Sequence, residues 1–398
     1  MKVLVISPQP FFSPRGTPFS VYYRTLVTAQ LGANVDLLTY GEGQDVEIPG
    51  VRIVRIPKFG FLGNVKVGPS YLKLFLDIFI AAWSIALMTK NRYDVVHAHE
   101  ESVFFCRFLK PVFGFKLIYD MHSSLPQQLT NFKFTRSNML IGMFKKLENT
   151  GLRSADAVIT ICPDLAQYVD QTVSKNGRHF LIENSIFEPV RLAGHDTEAF
   201  SGNHKGRLSL DLPKDRRLVV YAGTLEPYQG IDILIEAFSK VAETVSDAAL
   251  IIVGGTKPQV THYSHMAHNL GLDEHVHFTG RVEPAVAKTV TASASVLVSP
   301  RSGGTNTPLK VYEQMACGIP LVATRIHSHT QVLNDAIAIL VEPEPQAMAD
   351  GIVKALEKSD RVVQMTQNAR KHYENHYSRR IYEDKMRRVL NVVGPCAV

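Results

Sequence analysis

Residues 299–324 read SPRSGGTNTPLKVYEQMACGIPLVAT: the close of one strand, a glycine turn, a short helix and the opening of the next strand. Val296 to Val298 is apolar and mostly β-branched, and Pro300 ends the run. Arg301, Gly303, Gly304, Thr305 and Asn306 form a turn that carries one cation and several small groups. Thr307-Pro308 predicts a helix start, with Thr307 as the cap and Pro308 as the first helical residue, ahead of Leu309. Gly318 and Pro320 stop that helix. The open amides at its start suit an anion. Lys310 and Glu313 stand three apart and share one helix face. A phosphorylated sugar fits this pattern, with phosphate on amides and lysine and a diol on the carboxylate. A plain βαβ unit with a surface ion pair fits the same spacing.

The rest of the chain bounds the answer. Its 398 residues suffice for two domains, and 45% hydrophobic with 20% charged residues describes a globular protein. A net charge of +6 allows anionic partners without naming one, and no run of five basic residues marks a nucleic-acid binder. Four scattered cysteines in no metal spacing read as a reduced, cytoplasmic chain. VLVIS after Met1-Lys2 is too short for a signal peptide and reads as the first strand.

A Pro/Gly loop at residues 8–17 follows that strand and places Arg15 and Gly16 where open α/β sheets bind ligands. A surface loop with a solvated arginine is the alternative. Residues 71–88, YLKLFLDIFIAAWSIALM, are the most hydrophobic stretch, interrupted by Lys73 and Asp77. At that length we read a buried or membrane-facing helix rather than a span. YDVVHAHEES ends in His97, His99, Glu100 and Glu101, and KLIYDMHSS places Asp120 and His122 at a strand end. For the two histidines of the first motif, packing or substrate contact is favoured over zinc, whose further ligands are not evident. Residues 131–149 mix apolar side chains with Lys133, Arg136, Lys145 and Lys146, a pattern of solvated helices and of helices on anionic membranes.

A stretch without periodicity separates two βα alternations. The expected division is 1–190 for a first Rossmann-like domain, 191–213 for a linker, 214–375 for a second such domain and 376–398 for a helical tail. This predicts an α/β protein of two doubly wound parallel sheets facing a cleft.

In order and spacing, YAGTLEPYQGIDILIEAF, LIIVGG, VHFTGRVEP and TPLKVYEQMACGIPLVAT resemble the donor-domain motifs of the retaining glycosyltransferases of family 4, which have the GT-B fold. YDVVHAHEES, YDMHSS and ADAVITICPDLAQYV resemble the acceptor-domain motifs of the same family. The resemblance implies transfer of a sugar from a UDP- or GDP-sugar to a glycan, lipid-linked or small acceptor, with no bound metal and no cofactor. A cytoplasmic enzyme of polysaccharide synthesis is expected, with residues 71–88 and 131–149 allowing loose contact with an anionic membrane and with no nucleic acid as partner. Glu313 would bind the donor ribose, Lys310 and the amides after Thr307 the diphosphate, and His122, the catalytic candidate, would lie beside the transferred sugar, contacting it or relaying a proton. Two departures stand out. Thr305 occupies the place of the first of two family glutamates, and Thr224 and Gln229 occupy those of a basic pair. Arg301 is therefore expected to join Lys310 at the diphosphate. The departures also keep open a nucleotide-sugar binder without turnover, beside an epimerase on the same fold.

Overall fold

The computed structural model describes residues 1–13, 16–58, 70–126, 137–173, 177–184, 187, 190, 212–213 and 215–394. Arg15, residues 131–136 of the expected basic helix and most of the expected linker lie outside the described residues. The chain forms two compact units. The first comprises Met1–Asp196 with Arg379–Val398, and the second Thr197–Ser378.

In chain order the first unit holds β1 (Lys2–Ser7), α1 (Gly16–Gln30), β2 (Asn34–Thr39), β3 (Val51–Arg55), α2 (Tyr71–Lys90), β4 (Val95–His99), α3 (Val103–Phe113), β5 (Lys116–Met121), α4 (Asn138–Ser154), β6 (Ala157–Thr160), α5 (Pro163–Thr172) and β7 (His179–Leu181). Its seven strands pair in the order β3-β2-β1-β4-β5-β6-β7, all parallel. Parallel strands covered on both faces need continuous apolar runs, and KVLVIS and VVHAH supply them.

Two apolar clusters cover the two faces of this sheet. One includes Leu76, Ile80 and Met88 of α2, so that helix packs into the core along one side. By length and composition alone α2 could also cross a membrane. Ser70 caps it, its Oγ accepting from Lys73 N at 3.2 Å.

The second unit holds β8 (Arg217–Ala222), α6 (Ile231–Thr244), β9 (Ala248–Val253), α7 (Lys257–Asn269), β10 (Val276–Gly280), α8 (Pro284–Ala292), β11 (Val296–Ser299), α9 (Leu309–Ala316), β12 (Leu321–Thr324), the single turn α10 (His327–Thr330), β13 (Ile339–Val341), α11 (Pro345–Leu356) and α12 (Asp360–His376). The strand order is β10-β9-β8-β11-β12-β13, again parallel.

The last helix, α13 (Arg379–Val393), returns to the first unit. Tyr382, Met386, Val389, Leu390 and Val393 join the cluster that contains Val3, Val5, Tyr23 and Ile159. A charge-rich helix can do this because its apolar residues recur at helical spacing and form one buried stripe.

One expectation is corrected. Pro308, not Thr307, is the N-cap of α9, with extended backbone, and Leu309 is the first helical residue. The Pro308 carbonyl accepts the first helical bond, from Val311 N at 3.1 Å. Proline lacks an N–H and fits either position, so the tertiary contacts of the loop decide between them.

Candidate active site

Each sheet reverses its winding at one point, between β1 and β4 in the first unit and between β8 and β11 in the second. Open α/β sheets bind ligands beyond the strand ends at such points. Most of the described candidate residues cluster there in each unit.

In the second unit the loops after β8, β9 and β11 meet closely. A Cβ on Gly230, whose φ is +70°, would stand 2.0 Å from the Pro300 carbonyl oxygen, so only glycine lets the first and third loops touch. Ser302 N then donates to Tyr228 O at 3.0 Å. The Arg301 guanidinium lies 5.1 Å from the Tyr228 ring centroid, and Lys310 Nζ lies 4.0 Å from that of Tyr221. Lys310 Nζ also donates to Gln229 Oε1 at 3.4 Å, and Gln229 Nε2 to Thr224 Oγ1 at 3.4 Å. The two neutral residues at the family's basic positions are thus coupled to the lysine.

Neither Arg301 nor Lys310 has a carboxylate ion-pair partner among the described residues. Burial, and then the nearby Arg301 charge, push the Lys310 ammonium down to about 7. Arg301 Nη1 donates to Asn306 O at 3.0 Å. Gln331 Nε2 donates to Thr305 O at 2.7 Å. Thr307 Oγ1 is buried without a partner among the described residues. Leu309 and Lys310 open α9, and Glu313, one turn on, is exposed.

In the first unit, Asp120 is the next-to-last residue of β5, beside β4, and His122 follows the strand. Asp120 is fully buried. Its Oδ2 lies 2.6 Å from Arg24 Nε and 3.0 Å from His97 Nε2, and its Oδ1 lies 3.4 Å from His122 Nε2. His122 Nε2 is 2.9 Å from His99 Nδ1. Burial alone would raise the Asp120 carboxyl, but Arg24, His122 and His99 together hold it well below the usual range. Burial pushes His122 down to about 4 against the pull of Asp120. His97, His99 and Asp120 place ligand-type atoms within 4.8 Å of one another. The Arg24 guanidinium already supplies the positive charge there, so the set does not fit a divalent ion. Gly16, the exposed first residue of α1, stands apart from this buried group.

Sequence reasoning missed a second polar group in this unit. Tyr40 Oη donates to Asp77 Oδ1 at 2.5 Å, Lys73 Nζ pairs with Glu101 Oε1 at 2.9 Å, and Ser123 Oγ donates to Glu100 Oε2 at 3.2 Å. The signal was present in Lys73 and Asp77, two charges inside an apolar helix: Lys73 serves the end of β4 and Asp77 the end of β2. Also missed were Arg24, within an ordinary helix, and His329, behind the glycine loop.

Comparison with known proteins agrees with this fold. The family described as Glycosyl transferases group 1 matches residues 205–372, and the Glycosyl transferase 4-like domain matches residues 24–185. The chain belongs to this family and is a glycosyltransferase of the GT-B type. It is 25% identical over 371 residues to phosphatidyl-myo-inositol mannosyltransferase of Mycobacterium tuberculosis, covering 90% of this chain and 88% of that protein. It is 29% identical over 191 residues to D-inositol 3-phosphate glycosyltransferase of Corynebacterium glutamicum, covering 45% of this chain and 46% of that protein. In fold it is similar to sucrose-phosphate synthase of Thermosynechococcus elongatus, with TM-score 0.72, 22% identity and 98% of each chain covered. It is likewise similar to HepE of Anabaena in complex with UDP, with TM-score 0.70, 16% identity, and 98% of this chain and 100% of that chain covered.

Proposed function

We propose that this enzyme moves a hexose, with retention and without a divalent metal, from a UDP- or GDP-sugar to a glycan or lipid-linked acceptor. The observation that carries the reading is the cation pair Arg301 and Lys310, half-buried and without a carboxylate partner among the described residues, beside the open amides of α9. Two such charges at a helix start suit a diphosphate, and the HepE neighbour was crystallised with UDP. In this reading the second unit holds the donor, with Glu313 on the ribose diol, and the first unit holds the acceptor.

During transfer the bond from the sugar C1 to the phosphate oxygen breaks, and the bond to the acceptor oxygen forms on the same face. The acceptor proton passes to the leaving phosphate. Arg301, Lys310 and the amides meet charge that grows on that phosphate, where fixed donors act most strongly. His122 contacts the transferred sugar and orients it.

A lipid-linked acceptor is supported by the surface of the first unit. Leu74, Ile78 and Ile85 of α2, Phe108 and Val112 of α3, and Met139 and Met143 of α4 are exposed. These three helices pack in sequence, α2 on α3 and α3 on α4. Lys145 and Lys146 stand on the last. The Mycobacterium tuberculosis relative is named for a phosphatidyl-inositol substrate. We place the enzyme on the cytoplasmic side, in keeping with Cys106 and Cys317, which form no disulfide among the described residues.

A panel of UDP-, GDP- and ADP-sugars tests the reading, with nucleoside diphosphate release and product anomer followed with and without chelator. Release from one UDP- or GDP-sugar, unchanged by chelator and with the donor's anomeric configuration kept, is expected. An inverted product, or turnover lost in chelator and restored by manganese, overturns it.

A further inference from the structure

We propose that His329 is a positioning residue for the phosphate loop: with Ser299 and Thr324 it fixes the main chain of Arg301, and so sets where the guanidinium stands. This rests on the assignment of Arg301 to the diphosphate and adds the part that holds it.

The hydrogen-bond roles follow from chemistry. Thr324 ends β12 and Ser299 ends the neighbouring β11. His329 lies in the single turn α10 and is fully buried, as are Ser299 and Thr324. His329 Nδ1 is 2.8 Å from the Thr324 carbonyl oxygen, which can only accept, so Nδ1 carries the proton. In the neutral ring Nε2 is then the acceptor, and Ser299 Oγ donates to it at 2.9 Å. Thr324 Oγ1 donates to the Arg301 carbonyl at 2.5 Å. Strand end, imidazole, strand end and loop carbonyl thus form one continuous chain, buried up to its last link.

The arrangement needs a neutral ring. Burial, with Lys310 and Arg301 nearby, pushes His329 down to about 4, so both bonds persist at ordinary pH. Gln331, next after the turn, repeats the device farther along, its Nε2 donating to Thr305 O at 2.7 Å. Arg301 Nη1 closes the loop on itself at Asn306 O. Residues 301–306 are therefore held from behind at Arg301 and Thr305 and braced across by the arginine. Ser299, Thr324 and His329 are too deeply buried to touch a ligand, which makes their role support rather than contact.

The test is a double-mutant cycle read by calorimetry. UDP, GDP and inorganic pyrophosphate, with uridine and guanosine as unphosphorylated controls, are titrated into the wild-type chain and into His329→Leu, His329→Asn, Gln331→Ala, Arg301→Ala and His329→Leu/Arg301→Ala. We expect His329→Leu to weaken the bound diphosphate about tenfold and to leave its nucleoside unchanged. His329→Asn, whose amide still donates to the Thr324 carbonyl, should recover part of the loss. The double variant should bind no more weakly than Arg301→Ala alone. Additive losses, equal weakening of the nucleoside, or unchanged diphosphate affinity in His329→Leu overturn the proposal. If His329→Leu does not fold, Gln331→Ala carries the same comparison, with a loss of about two- to fivefold that vanishes in the Arg301→Ala background. No effect of Arg301→Ala would instead remove the diphosphate assignment itself.

Discussion

Arg24 Nε stands 2.6 Å from Asp120 Oδ2, and both side chains are wholly removed from solvent. The pair is sealed by α13, since the guanidinium lies 5.8 Å from the Tyr382 ring centroid and Nη1 lies 4.0 Å from Met386 Sδ. Such a pair adds little to stability as a unit, but removing one member strands a buried charge at about 3–5 kcal/mol. Arg24→Met should therefore destabilise the first unit by about that amount in urea titration. Replacing both residues with apolar ones should recover most of the loss. A cost below about 1 kcal/mol for the single variant would mean that water reaches Asp120.

The His122→Ala substitution should lower kcat by about ten- to a thousandfold, the usual reach of a positioned acid, base or orienting group. The donor KM should change little, because the diphosphate contacts belong to the second unit. Initial rates at saturating donor decide this. Turnover equal to that of the wild-type chain would leave His122 a packing residue of the Asp120 network.

Gly304 has φ +105°, and a Cβ there would stand 2.1 Å from Arg301 Nη2. Alanine must push the guanidinium from its present place. Gly304→Ala should therefore weaken diphosphate binding by about the 10- to 150-fold expected for loss of one charged hydrogen bond. Nucleoside binding should hold. Gly271→Ala is a matched control, with φ +69° and nothing within 4 Å of its added carbon. It should cost backbone strain alone and leave ligand affinity intact.

Stability should fall in acid through His329. Its folded pKa is about 4 against 6.5 for the free side chain, so the unfolded chain takes up the proton first. The contribution is complete above pH 6.5 and is lost progressively as the pH falls towards 4, by about 3 kcal/mol at most. Urea unfolding between pH 4.5 and 7.5 should show a shallower pH dependence in His329→Asn than in the wild-type chain. Parallel curves would mean that the ring is already protonated in the fold.

Membrane contact can be read by flotation. The exposed apolar residues of α2, α3 and α4 should carry the protein up with anionic vesicles, each nearby basic residue adding about 1 kcal/mol. The Ile78→Asp/Phe108→Asp variant should stay at the bottom while keeping nucleoside diphosphate affinity. Equal flotation of both proteins, or none by the wild type, would remove the membrane from the acceptor assignment.

Much of this molecule was determined by local sequence. Buried parallel strands must be apolar throughout, so KVLVIS, LIIV and VLVS announce themselves as strands. The alternation with helices then leaves few topologies. The turn at Gly303–Gly304, the helix that follows it and the stop at Gly318 are consequences of backbone freedom, which is a property of residues and not of context. The same stretch carries Arg301 and Lys310 together, so the candidate phosphate loop could be read in one pass.

The tertiary structure decided what depends on strand order. Arg24 meets Asp120 because strand order and the returning α13 enclose both; neither residue marks the other along the chain. His329 reaches Ser299 and Thr324 because β11 and β12 are neighbours whose ends stand side by side. Pro308 became the cap because a residue without an N–H satisfies two adjacent positions equally, and only the packing of the loop separates them. The charge-rich final helix joined the first unit because its apolar stripe matched a surface formed by strands far earlier in the chain. Periodicity specifies which face of an element is buried; the partner against which it is buried is a property of the whole fold.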